Sequence, residues 1–187
     1  MNNSKISSAI DNLEKNKVKN YYPIIITLLF GSALPLLDAT IVGISIPSLG
    51  DFFGASVAKL QWVAMIYTLS AAVVIPLCTW SIRWLGSRSV WLIGLFVFML
   101  GSLLCGLASS LNMLIFSRAI QGVGAGILMP AMQSVLLLSV GRKYFKTAMA
   151  TIAIPAVMIP ILGPIIASGI LSITSWHWIF LINIPIA

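Results

Sequence analysis

Residues 22–49 read YPIIITLLFGSALPLLDATIVGISIPSL, an apolar run in which Asp38 is the only charged side chain. Crossing the hydrocarbon core of a bilayer takes about 20 such residues, so the stretch reads as a transmembrane helix with an acid inside it. A second run, residues 111–140 (LNMLIFSRAIQGVGAGILMPAMQSVLLLSV), repeats the pattern with Arg118 as its only charge. A charge at this depth costs about 3 kcal/mol or more, and such side chains face a partner or a wet cavity rather than lipid. What Asp38 and Arg118 do together is therefore the central question of this chain.

The rest of the sequence agrees with a membrane setting. Of 187 residues, 59% are hydrophobic and 8% charged, against roughly 25% charged in a soluble domain, and the mean hydropathy is +1.05. Apolar runs predict spans over 22–46, 60–80, 90–108, 111–140 and 147–173, with a sixth opening at about residue 178 and unfinished at the end of the sequence. The fold class expected is an all-α membrane protein. The apolar run after residue 20 is far longer than the 7–15-residue core of a signal peptide, so no cleaved leader is expected.

A net charge of +7 would suggest nucleic acid in a soluble protein, but its distribution argues otherwise. Lys5, Lys15, Lys17 and Lys19 precede the first span, Arg83 and Arg88 follow the second, and Arg142, Lys143 and Lys146 follow the fourth. The alternate loops hold only Lys59, near Asp51, and His177. Basic residues stay on the cytoplasmic side. The expectation is a multi-pass protein of the cell (inner) membrane, with a cytoplasmic tail over residues 1–20 and no nucleic-acid partner.

Cys78 and Cys105 fall near opposite ends of the second and third spans, roughly 20 Å apart in depth, beyond the reach of a disulfide. With one histidine and no ligand cluster, no metal site or cofactor is expected. An enzyme is not expected either, because no second carboxylate or His/Cys/Ser constellation accompanies Asp38. The segment Gln121-Gly122-Val123-Gly124-Ala125-Gly126 lies mid-span, without the strand that a dinucleotide fingerprint requires before it. Gly122 and Gly126 instead make a small-xxx-small face for close helix contact, and Gln121 and Gly124 are assigned to the same packing surface.

Counting 1.5 Å per residue from span ends at Ile46 and Leu111 places Asp38 and Arg118 about 10–12 Å below the outer surface. Opposite charges at one level on antiparallel helices are expected to pair or to share a solvated pocket. Desolvation and an adjacent guanidinium pull a carboxyl group in opposite directions, so an acid held between them exchanges a proton when its surroundings change. The bland alternative is a static ion pair that fixes helix registry, though such pairs add little net stability over apolar replacements.

Five segments, in order along the chain, carry a resemblance. Leu37-Asp38-Ala39-Thr40-Ile41-Val42, closing at Pro47, matches the pattern L-D-x-T-I-V-N-x-A-x-P. Arg118 to Gly126 matches R-x-x-Q-G-x-G-x-G. Gln61-Trp62-Val63 through Tyr67 to Ile75-Pro76-Leu77, and Trp176-His177-Trp178 through Asn183 to Pro185, are similar to the second and sixth spans of the same group, and Gly163-Pro164 is similar to its fifth-span motif. Together they resemble the N-terminal half of a major facilitator superfamily transporter of the fourteen-span drug:proton antiporter branch, cut within the sixth span. The resemblance implies most of one six-helix bundle of inverted three-helix repeats, and a C-terminal transporter half as partner.

By that resemblance Asp38 is an acid important for function, Arg118 takes part in proton transfer, and Gly163 and Pro164 shape the fifth helix against leak. The sequence departs from the family at Gly43, where the first motif has Asn. In the loop after the second span, Arg83 stands at the position of the family's acid when aligned on Gly86, and in the fifth-span motif Ile159, Ala167 and Ser168 replace glycines.

The function expected is proton-coupled export of small amphipathic compounds. Trp62, Tyr67, Met129 and Gln133 are candidate substrate-cavity residues because they set bulk or polarity mid-span. The alternatives are a metabolite porter on the same scaffold, or a truncated, non-transporting fragment that needs a second polypeptide.

Overall fold

Long apolar runs punctuated by single glycines fold here as long helices that turn at those glycines. The computed structural model describes residues 3–186, with side chains from Tyr21 to Ile186. Six helices follow one another: α1 (Asn3–Phe53), α2 (Val57–Leu85), α3 (Ser87–Gly106), α4 (Leu111–Ile173), α5 (His177–Leu181) and α6 (Asn183–Ile186), with no strand among the described residues. Four are long and apolar enough to cross a membrane.

At 63 residues, α4 would be roughly 95 Å long if straight, about three times the hydrocarbon thickness. It is not one rod. Gly141, at φ 75° and ψ 166°, adopts a conformation that side chains essentially exclude, and it divides α4 into arms 111–140 and 142–173. The arms fold back on each other. Val140 packs near Ala148 and Ile152 at one end of the bundle, while Leu114 and Ala167 share a cluster at the other. Gly86 (φ 79°, ψ 151°) makes the equivalent turn between α2 and α3.

Two sequence expectations about span ends differ from the structure. The first span was expected to close at Ile46, but α1 continues through Pro47 to Phe53. A proline removes one backbone hydrogen bond without ending a helix when the rest of the ladder continues. Asp38 therefore lies near the middle of the apolar stretch Tyr21–Phe53, not in its outer third. The fifth span was expected from residue 147, yet the second arm of α4 is helical directly after Gly141. Arg142, Lys143 and Lys146 thus extend the helix rather than occupy a loop. The side chains of the expected tail, 1–20, lie outside the described residues.

Two apolar clusters fill the two ends of the bundle. Ile25, Leu28, Val90, Trp91, Leu128, Val135 and Val140 form the one beside the basic turns. Leu49, Leu60, Cys105, Leu114, Ala167, Trp176 and Phe180 form the one beneath an aromatic cap. In lipid, close van der Waals packing takes over the driving role that water exclusion plays in soluble cores. Glycines provide it: a Cβ on Gly126 would lie 2.5 Å from the Ala71 carbonyl oxygen of α2, and one on Gly101 of α3 would lie 2.5 Å from the Gln121 nitrogen of α4. Gly122 abuts the Tyr67 carbonyl and Gly124 the Phe98 backbone in the same way. These contacts draw α2, α3 and α4 together beside the two buried charges.

Candidate functional site

Asp38 on α1 and Arg118 on the first arm of α4 meet as an ion pair, Arg118 Nη1 donating to Asp38 Oδ2. Each residue is 1% exposed. Of the two expected arrangements, pairing or a shared solvated pocket, the structure shows the pair, covered by side chains from neighbouring helices. The physical reason is tertiary. Tyr67 of α2 lays its ring under the guanidinium, with Cζ 4.0 Å from the ring centroid, and the Phe180 ring of α5 covers it at 5.9 Å. Both contacts are cation–π in geometry, and they hold the cation by its flat faces while its edges make hydrogen bonds.

Two of the three guanidinium nitrogens, Nε and Nη1, make those bonds. Arg118 Nε donates to the Val63 carbonyl at 3.2 Å, and Nη1 donates to Gln121 Oε1 at 2.9 Å as well as to Asp38. Gln121 Nε2 in turn donates to Asp38 Oδ1 at 2.9 Å, so one amide bridges acid and base. Gln121 was assigned to packing on sequence grounds. Its backbone does pack against Gly101, but its side chain belongs to the charged centre. Cys105 Sγ lies 3.5 Å from Gln121 Oε1, and the Tyr67 hydroxyl donates to the Pro35 carbonyl at 3.2 Å, pinning α2 to α1.

A further group joins from the short helices. Asn183 Nδ2 lies 2.9 Å from Ser102 Oγ and 3.5 Å from Asp38 Oδ1, and the Ser102 hydroxyl donates to the Phe180 carbonyl at 2.8 Å. Asn183 is 1% exposed and Ser102 0%. Sequence reasoning noted Asn183 only inside a longer string and passed over Ser102. A neutral amide in the apolar run 178–187 is the same signal as Asp38, at lower amplitude.

The remaining candidate residues are placed separately. Of the four proposed for a substrate cavity, only Tyr67 reaches the charged pair. Trp62 is half exposed and lines a surface cavity of ≈ 480 Å³ with Phe53, Lys59, Asn112 and Ile115. Met129 and Gln133 share an exposed stripe on the first arm of α4, about 16 Å or more along the helix from Arg118. Gly163 lies against Thr40 of α1, where a Cβ would strike the hydroxyl, and Pro164 is partly buried beside it. Ile159, in place of a family glycine, is accommodated in a buried position. The two cysteines are free.

Four helices long and apolar enough to cross a membrane, packed around a buried acid–guanidinium pair, define the class as an α-helical multi-pass membrane protein. The sequence profile described as Major Facilitator Superfamily matches residues 28–187, and the chain belongs to that family. Among curated relatives, "Putative multidrug resistance protein MdtD" of Salmonella typhi is 36% identical over 157 residues, covering 84% of this chain and 33% of the relative. The protein of the same name from Shigella flexneri serotype 5b is 37% identical over the same coverage. The chain therefore spans about a third of the length of the curated relatives it matches.

Proposed function

We propose that this chain forms the N-terminal bundle of a proton-coupled exporter of small amphipathic compounds, working with a C-terminal bundle. The observation that carries the reading is the Asp38–Arg118 pair bridged by Gln121. In the closed arrangement the Arg118 guanidinium occupies Asp38 Oδ2. A helix movement that withdraws Arg118 frees that oxygen to take up a proton. Release of that proton on re-pairing supplies one half of an exchange cycle, and binding of a substrate supplies the other. The names of the relatives favour drugs as the exported class.

The basic residues Arg83, Arg88, Arg142, Lys143 and Lys146 cluster at the two glycine turns of one end. That end is assigned to the cytoplasm by the positive-inside rule, which also puts the N-terminus inside the cell membrane. The experiment is proton release from weakly buffered, detergent-solubilised transporter on adding a lipophilic cation. Wild type should release protons, and Asp38→Asn should bind the cation without release. Equal release from both would remove Asp38 from the mechanism.

A further inference from the structure

The hydrogen-bond geometry around Asp38 distinguishes its two carboxylate oxygens. Ser102 donates its hydroxyl proton to the Phe180 carbonyl at 2.8 Å, so the Ser102 oxygen accepts from Asn183 at 2.9 Å. That contact fixes the amide with Nδ2, not its oxygen, toward Ser102. The second hydrogen on the same nitrogen is left to face Asp38 Oδ1 at 3.5 Å. Gln121 is fixed in a parallel way. Its Oε1 accepts from Arg118 Nη1 at 2.9 Å, which leaves Nε2 to donate to Asp38 Oδ1 at 2.9 Å. Oδ1 therefore meets two amide N–H donors, neither of which can accept a proton. Oδ2 meets Arg118 Nη1.

We infer that Asn183 is a positioning residue for the proton: held by Ser102, it keeps Oδ1 as an acceptor and directs protonation to Oδ2, the oxygen that Arg118 occupies. This rests on the reading of Asp38 as the proton-exchanging acid and specifies how the exchange is ordered. A hydronium ion gives its proton to Oδ2 and leaves as water, and the hydrogen bond from Arg118 Nη1 to Oδ2 is lost. Arg118 stays protonated and keeps its contacts with Gln121 Oε1, the Val63 carbonyl and the Tyr67 ring. Proton arrival at Oδ2 and loss of the Arg118–Asp38 hydrogen bond are thus one event. Because Asn183 sits on α6 and Ser102 on α3, the event is felt in helices that carry no charge at this level. The titratable and charged groups facing the site from the packed helices are Arg118 of α4, Tyr67 of α2 and Cys105 of α3; α5 and α6 contribute Phe180 and Asn183, which do not titrate.

The test is an infrared difference titration of the full chain in lipid, following the carboxyl C=O stretch of protonated Asp38, assigned by its loss in Asp38→Asn. In wild type the protonated acid has its proton on Oδ2 and its C=O at Oδ1, lowered in frequency by two N–H donors. Asn183→Leu removes one donor. The band should rise in frequency, and its pH midpoint should move with it. Ser102→Ala, a smaller perturbation of packing, should shift both readouts the same way by less. If either folded variant keeps both the wild-type frequency and the wild-type midpoint, the positioning role is overturned while Asp38 remains the exchanging acid. If the wild-type chain shows no titrating Asp38 band, the underlying proton reading falls as well.

Discussion

The two arms of α4 are of similar length, equally apolar and joined by one glycine, yet they pack in opposite ways. The first arm, 111–140, buries Leu114, Ser117, Arg118, Gln121, Gly122, Gly124, Ala125, Gly126, Leu128 and more, on faces turned to α1, α2 and α3. The second, 142–173, buries one narrow stripe at Ala148, Ile152, Ile159, Gly163 and Ala167. Its other faces show Ile154 at 72% and Val157 at 69% exposure. The difference comes from side-chain volume at the crossing level. Four small residues in five positions, from Gly122 to Gly126, admit two neighbouring backbones to the first arm, whereas among the glycines of the second only Gly163 approaches a neighbour closely. Close approach on several sides is what makes a dry site for a charge pair. An arm that touches along one stripe leaves faces free for lipid or a partner.

The largest expected effect is at the charges. Arg118→Met leaves Asp38 buried without its cation and should cost about 3–5 kcal/mol in denaturation of the reconstituted chain. Pairing it with Asp38→Leu should recover most of that loss, since the pair itself adds little over apolar replacements. A double variant no more stable than the single one would show that the arm needs the charges for its fold.

Next come the glycines of the first arm. Gly122→Ala would push a methyl group onto the Tyr67 carbonyl and should lower stability by about 1–3 kcal/mol. Gly141→Ala, at the positive φ that separates the arms, should cost about 1–3 kcal/mol through backbone strain, with thermal unfolding as the readout. The smallest effect belongs to the second arm. Gly169 has nothing within 4 Å of where its Cβ would be, so Gly169→Ala should raise stability by about 0.5–1 kcal/mol. A loss of stability there as large as that of Gly122→Ala would erase the distinction between the arms.

Much of this was legible before the structure. Asp38 and Arg118 stand out because a charge in an apolar run has few physical explanations, and the glycine spacing of the first arm points to close helix contact. Three things were hidden. The side chain of Gln121 is masked by the glycines around it, whose packing role explains the segment without the amide. Asn183 and Ser102 are neutral, so they hardly disturb the apolar pattern, and only the three-dimensional meeting of α3 and α6 shows their common target. The dryness of the pair depends on Tyr67 and Phe180, contributed by two other helices. The C-terminal end of α1 escaped for a different reason: the span was ended at Ile46, before Pro47, but the helix ladder continues through that proline to Phe53.

The most direct test of the proton role is transport into proteoliposomes that hold this chain with its C-terminal bundle, under an imposed pH gradient. Wild-type protein should accumulate a lipophilic cation against its gradient with matching proton flux, and Asp38→Asn should bind the cation but fail to accumulate it. Undiminished gradient-driven accumulation by Asp38→Asn would contradict the account.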